Sequence, residues 1–154
     1  MQTIWITGGS SGIGFATAKE FINNNWQVVI SSSNKIKLES AKKKLELNNH
    51  RNLVHAIVCD ISSKNKVDET INSIEKNIGK IDIALLNASA YSPNKNQIFD
   101  ISNYELLVDV NIKGTLYCVN KLKDVMKNRN NTIAIISSPL GLSLIHIYEP
   151  TRHS

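Results

Sequence analysis

The chain has 154 residues and a formal net charge of +5, with 42% hydrophobic and 20% charged residues. That length suits one domain with a sizeable core, and that balance argues against disorder. No apolar run reaches the roughly 18 residues that a membrane-spanning helix needs, and the scattered lysines form no basic stripe interleaved with aromatics, which argues against a nucleic-acid partner.

Residues 3–7 are short, apolar and β-branched, and predict a strand that runs into a glycine cluster. Strand-like sequence begins at Gln2 with no basic region and cleavage site before it, so the expected location is cytoplasmic. Residues 13–24 place Ile13, Ala16, Thr17, Phe21 and Ile22 on one face of a helix, which Asn23-Asn24-Asn25 breaks. A buried strand is predicted over 27–31, centred on Val28-Val29-Ile30. An amphipathic helix over 35–47 buries Leu38, Ala41 and Leu45 and leaves Lys42-Lys43-Lys44 as a solvated face. A third strand covers 53–59 and ends at Asp60. Ser62 then caps a helix to about 78, with Val67, Ile71, Ile74 and Ile78 on one face and Gly79 ending it.

A fourth strand is predicted over 81–86, then a loop over 89–100 marked by Ser92-Pro93-Asn94. One long helix is expected from Ser102 to about 127, with Leu106, Leu107, Val110, Ile112 and Leu116 as core candidates. Residues 132–137 read as a fifth strand. The two cysteines, Cys59 and Cys118, read as buried thiols. Such alternation implies a parallel sheet with helices on both faces. The expected architecture is a three-layer α/β/α Rossmann fold of strand order 3-2-1-4-5, with right-handed crossovers. A ligand would lie at the carboxyl ends, near the switch between strands one and four.

The segment Ile4-Trp5-Ile6-Thr7-Gly8-Gly9-Ser10-Ser11-Gly12-Ile13-Gly14-Phe15 sits between strand and helix. A pyrophosphate needs close backbone approach and N–H donors, which residues lacking a bulky Cβ permit. The following helix turns its positive end toward the anion. The loop therefore predicts a dinucleotide site, with Thr7, Gly8, Ser10, Ser11, Gly12, Ile13 and Gly14 as candidate cofactor residues.

The spacing Thr-Gly-x-x-x-Gly-Ile-Gly resembles the short-chain dehydrogenase/reductase family, and the resemblance runs from residue 1 to about 141. Val58-Cys59-Asp60-Ile61 resembles the family's third strand end. Leu86-Asn87-Ala88-Ser89 resembles its Asn-Asn-Ala-Gly motif, with two of the four positions different. Val110-Asn111-Ile112-Lys113-Gly114-Thr115 resembles the segment carrying a catalytic Asn, and Ile135-Ile136-Ser137-Ser138 the strand end carrying a catalytic Ser. The resemblance implies a nicotinamide cofactor held also by Asp60 at the adenine amine and by Ile61, Asn87 and Ala88. It implies Ser138 polarising a substrate oxygen and Asn111 helping to hold a proton-relay water. Plainer roles stay open: Asp60 as a cap beside Ser62, Asn87 as a turn former, Asn111 satisfying helix backbone, Ser138 as a strand-end turn residue.

An acid at the end of strand two would favour NAD. Here Ser31-Ser32-Ser33-Asn34-Lys35 has none, and three hydroxyls with Lys35 suit a 2′-phosphate. NADP is therefore expected over NAD, with Ser32 and Ser33 as contacts. The family's chemistry also needs a Tyr-x-x-x-Lys pair after strand five, the lysine lowering the phenol's pKa. That register gives Thr151, and no lysine follows Ser138. Tyr148 and Arg152 have the spacing but begin too early, with Pro150 between them. Leu142-Ser143-Leu144-Ile145-His146-Ile147 resembles the translated mosaic end of transposon-made libraries, and Glu149-Pro150-Thr151-Arg152 fits the adapter that follows.

The expected division is thus an incomplete NAD(P)-binding domain over 1–141 and a non-native tail over 142–154; native DNA past codon 141 separates this from a natural short C-terminus. No metal site is expected. The intact protein would be a homodimer or homotetramer moving a hydride between the nicotinamide and a small carbonyl or alcohol, and this chain alone would be inactive. The alternative is a non-catalytic NAD(P)-binding sensor or scaffold.

Overall fold

The β-branched runs build a parallel sheet in the computed structural model, which describes residues 1–47, 52–91 and 100–137. Its strands are β1 (Thr3–Thr7), β2 (Gln27–Ser32), β3 (Val54–Val58), β4 (Ile81–Leu86) and β5 (Thr132–Ile135). The helices between them are α1 (Gly12–Asn23), α2 (Lys35–Glu46), α3 (Lys64–Asn77), α4 (Ile101–Leu107) and α5 (Thr115–Val125). The order is β3-β2-β1-β4-β5 with every pair parallel, as the alternation predicts.

Alternation along each strand splits the core in two. Ile4, Ile6, Val28, Ile30 and Leu85 face α1 and α2, where they meet Ala18, Ile22, Leu38, Ala41 and Leu45. Trp5, Val29, Ala84 and Leu86 face the opposite layer and meet Val67, Ile71 and Ile74 of α3 and Cys118 and Leu122 of α5. Burying a core Leu or Ile contributes about 1.5–3 kcal/mol. At the base of the second layer, Glu75 accepts from the Ile81 N–H at 2.8 Å and pairs with Arg129 at 3.1 Å, tying α3 to β4 and to the turn after α5.

Several expectations need correction. In α1 the buried residues are Gly14, Ala18 and Ile22, while Ile13 and Ala16 are exposed. The N-cap position of α3 is Ser63, which makes no side-chain capping bond, and not Ser62, which is drawn back to Asp60: its N–H and Oγ both donate to Asp60 Oδ1, at 3.0 and 2.7 Å. The predicted long helix is three segments, with a π-helical stretch over Val108–Gly114 between α4 and α5. Its buried stripe is Gly114, Cys118 and Leu122, whereas Leu106, Ile112 and Leu116 are each at least half exposed. Of the expected core residues Val110 does pack against the core; the wider π turn rotates the helix face, so apolar spacing read at 3.6 residues per turn misplaces Leu106, Ile112 and Leu116. β5 is also shorter than 132–137, although the Ile136 N–H still donates to the Leu86 carbonyl at 3.0 Å.

Candidate functional site

A cleft of about 570 Å³ opens at the carboxyl edge of the sheet, where the strand order reverses beside β1. Gly8, Ser10, Ser11, Gly12 and Ile13 form its floor. Residues 31–34 and Lys37 wall it after β2, and Cys59, Asp60 and Ile61 after β3. Asn87, Ala88 and Ser89 close it after β4, with Val110 opposite.

The loop has its shape for two distinct reasons. Gly8 and Gly12 hold φ of +66° and +55°, a region L side chains rarely adopt. At Gly12 a Cβ would meet nothing within 4 Å, so that glycine leaves open surface at the start of α1. At Gly14 a Cβ would lie 2.6 Å from the Gly8 carbonyl oxygen and 2.7 Å from Asn87 Nδ2, so glycine is needed there for space. An open, glycine-floored surface at a helix N-terminus fits a pyrophosphate.

Two candidates stand behind the wall rather than on it. Thr7 is buried, and its Oγ1 accepts from the N–H groups of Asn87 and Ala88, each at 3.0 Å. Gly14 is buried against the loop. Asn87 Nδ2 donates back to the carbonyls of Thr7 and Gly8, at 3.2 and 3.3 Å. The two thus set the cleft's shape and do not face into it.

Asn111 lies in the π-helical stretch and is exposed. Its side chain forms a reciprocal pair with the backbone of Ala90, accepting from N–H at 2.7 Å and donating to the carbonyl at 3.0 Å. Its own carbonyl accepts from Thr115 Oγ1 at 3.0 Å. Ser138 lies outside the described residues, as do Tyr148 and Thr151. Among the described residues, no group of three His, Cys, Asp or Glu could hold a metal ion, and no helix is long and apolar enough to cross a membrane.

The family profile of short chain dehydrogenases matches residues 2–148. The chain belongs to the short-chain dehydrogenase family. It is 30% identical over 126 residues to an uncharacterised oxidoreductase of Staphylococcus saprophyticus, covering 82% of this chain and 53% of that protein. It is 32% identical over 151 residues to one from Staphylococcus aureus strain USA300, covering 96% of this chain and 64% of that protein. The chain therefore spans little more than half to about two thirds of these relatives' length. Among solved structures, a 3-ketoacyl-(acyl-carrier-protein) reductase from Brucella melitensis, complexed with NADH, superposes with a TM-score of 0.78 at 25% identity, over 89% of this chain and 57% of that one. Levodione reductase shares the fold, with a TM-score of 0.82 at 22% identity over 94% of this chain and 57% of that one.

Several features of this short-chain dehydrogenase chain escape sequence reading. Ser31 does not offer a free hydroxyl: it is buried, accepts from the Trp5 indole N–H at 3.1 Å and leans on the Ile6 carbonyl. Lys35 is absent from the cleft wall, and Lys37 takes that place. Gly9 approaches β2, where a Cβ would lie 2.7 Å from Ile30 Cβ. Gly114 lets the π-helical stretch meet Ile61, whose carbonyl oxygen would be 3.0 Å from an added Cβ. The spacing Tyr-x-x-x-Lys does recur at Tyr117 and Lys121 on α5, but Tyr117 packs against the core and does not line the cleft. Both thiols are buried; burial raises the pKa of Cys59 and pushes that of Cys118 up to about 12.

Proposed function

We propose that the chain is the dinucleotide-binding part of an NAD(P)-dependent oxidoreductase acting on a small carbonyl or alcohol. The observation that carries this reading is the cleft floor, with open space above Gly12 at the N-terminus of α1. Backbone N–H groups of Ser10, Ser11, Gly12 and Ile13 would meet the pyrophosphate, aided by the helix dipole. Ser32 and Ser33 would face the adenosine ribose, Asp60 and Ile61 the adenine, and Asn87 and Ala88 the far end of the dinucleotide. When bound, the nicotinamide supplies or accepts a hydride. Ser138 would polarise the substrate oxygen, and Asn111 would position the segment after β4 and a relay water. The exposed apolar residues Ile112 and Leu116 suit a symmetry mate, making the intact protein a homodimer or homotetramer.

Calorimetric titration with NADPH and NADH tests the reading: at least one should bind with one-to-one stoichiometry. Binding of neither rejects it. Turnover is a separate matter, because no lysine follows Ser138 to pair with a tyrosine after β5. Residues 142–154 contribute nothing native to the site in this reading, and the 154-residue chain should bind without oxidising NADPH. Loss of absorbance at the nicotinamide band with any carbonyl would contradict that division.

A further inference from the structure

We infer that His55 is an acid-sensitive latch on β3. As a neutral imidazole it accepts a hydrogen bond that fastens this edge strand to the rest of the sheet, and protonation releases it. The latch is a ladder of side chains across three strands, at the end of the sheet opposite the cleft. Thr3 Oγ1 on β1 donates to Gln27 Oε1 on β2 at 3.3 Å, and Gln27 Nε2 lies 3.2 Å from His55 Nε2 on β3. Thr3 and Gln27 are direct partners in the sheet, and His55 stands opposite Val29, two residues further along β2. An amide nitrogen donates and cannot accept. His55 Nε2 is therefore the acceptor, which puts the ring proton on Nδ1. An imidazolium has donors at both nitrogens, so protonation sets donor against donor at this contact.

The surroundings resist that proton. Thr3 is fully buried and Gln27 and His55 are half-buried. The turn after α3 closes over the first two: a Cβ at Gly79 would lie 2.9 Å from Thr3 Oγ1 and 3.3 Å from Gln27 Oε1. The charged groups that act on the imidazole are Lys42 and Glu46, both on α2 and paired with each other at 3.6 Å. Burial, and after it Lys42, lower the His55 pKa below the ordinary 6.5, while Glu46 pulls the other way. Neither β2 nor the rest of β3 carries a charged residue. With its folded pKa below the unfolded one, the stabilisation from the latch is whole above 6.5 and is lost as pH falls through the folded value. Among the described strands β3 pairs with β2 alone, and its carboxyl end runs into Cys59, Asp60 and Ile61 on the cleft wall. The latch therefore bears on that wall whatever the cleft binds.

Nitrogen and proton NMR of the full chain, with the His55 signals assigned by their loss in His55→Gln, tests this. At neutral pH the ring should be the Nδ1–H tautomer, and it should titrate below 6.5. Gln27→Leu removes the donor and should raise that midpoint; Gln27→Glu gives the protonated ring an acceptor and should raise it further. Thr3→Val, two strands away, should raise it by less, because the Gln27 amide is then free to turn its oxygen to the ring. Amide-exchange protection along β3, corrected for the intrinsic rate, should fall by at most about tenfold for each pH unit below the ordinary imidazole value. His55→Gln, whose side chain accepts from Gln27 without titrating, should lose that slope. The latch is overturned if Nε2 carries the proton at neutral pH, or if His55 titrates at or above 6.5. It is equally overturned if Gln27→Leu leaves the midpoint unmoved, or if β3 protection falls alike with and without His55. The tautomer is read on the unsubstituted chain, so it decides even where a variant fails to fold.

Discussion

Thr7 and Asn87 lock the ends of β1 and β4 together through two bonds, in both of which Asn87 donates: its N–H to Thr7 Oγ1 at 3.0 Å and its Nδ2 to the Thr7 carbonyl at 3.2 Å. The same hydroxyl takes the Ala88 N–H, so one oxygen satisfies two backbone donors at the point where the chain leaves the sheet. Thr7→Val keeps the shape and removes the acceptor. Partly buried N–H groups left without a partner cost about 1–3 kcal/mol each, so Thr7→Val, which strands two, should destabilise the fold by about 2–6 kcal/mol and weaken dinucleotide binding. Thr7→Ser keeps the oxygen and should lose far less. Urea midpoints of the two variants decide this; equal losses would assign the effect to the methyl group.

Gly12 and Gly14 should fail differently. Gly12→Ala meets no atom but must hold φ +55°, a cost of about 1–2 kcal/mol that Gly12→Asn should partly relieve. Gly14→Ala drives a methyl into the Gly8 carbonyl and Asn87, so overpacking should cost about 1–3 kcal/mol and Asn should be worse than Ala. Thermal midpoints across Gly, Ala and Asn at each position separate the patterns: Asn better than Ala at 12, worse at 14.

The sheet was legible because fully buried strands leave a plain trace. Val28-Val29-Ile30 is apolar throughout because both faces are covered, Val28 and Ile30 by α1 and α2 and Val29 by the opposite layer. The glycine loop was legible because its backbone angles admit few residue types. The helical region over 101–125 was not: Ile112 and Leu116 stand four residues apart, as a core pair would, and nothing in the letters reveals a π turn or tells a core stripe from an exposed one. Lys37 was hidden for a related reason. Its direction depends on where α2 starts, and that is decided by Asn34 capping the helix rather than by any of the three serines before it. Ser31 misled because its partner, the Trp5 indole, is 26 residues away in sequence.

Asn111 holds the backbone beyond β4 from a distance of 21 residues through its paired bonds to Ala90. Asn111→Ala removes both bonds. Asn111→Asp keeps an acceptor for the Ala90 N–H but sets an oxygen against the Ala90 carbonyl. The pair is solvent-exposed, so global stability should change little. Local opening should become easier: amide exchange at Ala90 should accelerate roughly tenfold to a hundredfold in Asn111→Ala, the equivalent of one or two hydrogen bonds. Unchanged exchange at Ala90 would show that the segment is held by other contacts.

Cys118 makes stability fall on the alkaline side. Its thiol is buried, with a folded pKa pushed up to about 12 from an ordinary 9.0. Below 9.0 both folded and unfolded chains keep the proton, and the group contributes no pH dependence. Above that value the unfolded chain ionises first and binds fewer protons than the folded one, so unfolding becomes progressively easier as pH rises toward 12. Cys59, raised in the same direction chiefly by burial, adds to the slope. Urea midpoints of the unsubstituted chain should therefore decline from about pH 9 upward, and Cys118→Ala should decline less steeply from a lower starting stability, since it leaves a small cavity. Near neutral pH neither protonated, buried thiol should react with iodoacetamide except through opening, so labelling should speed up in step with added urea. Rapid labelling of the folded chain at neutral pH, or parallel alkaline slopes with and without Cys118, would place the thiol in water rather than between α5 and the sheet.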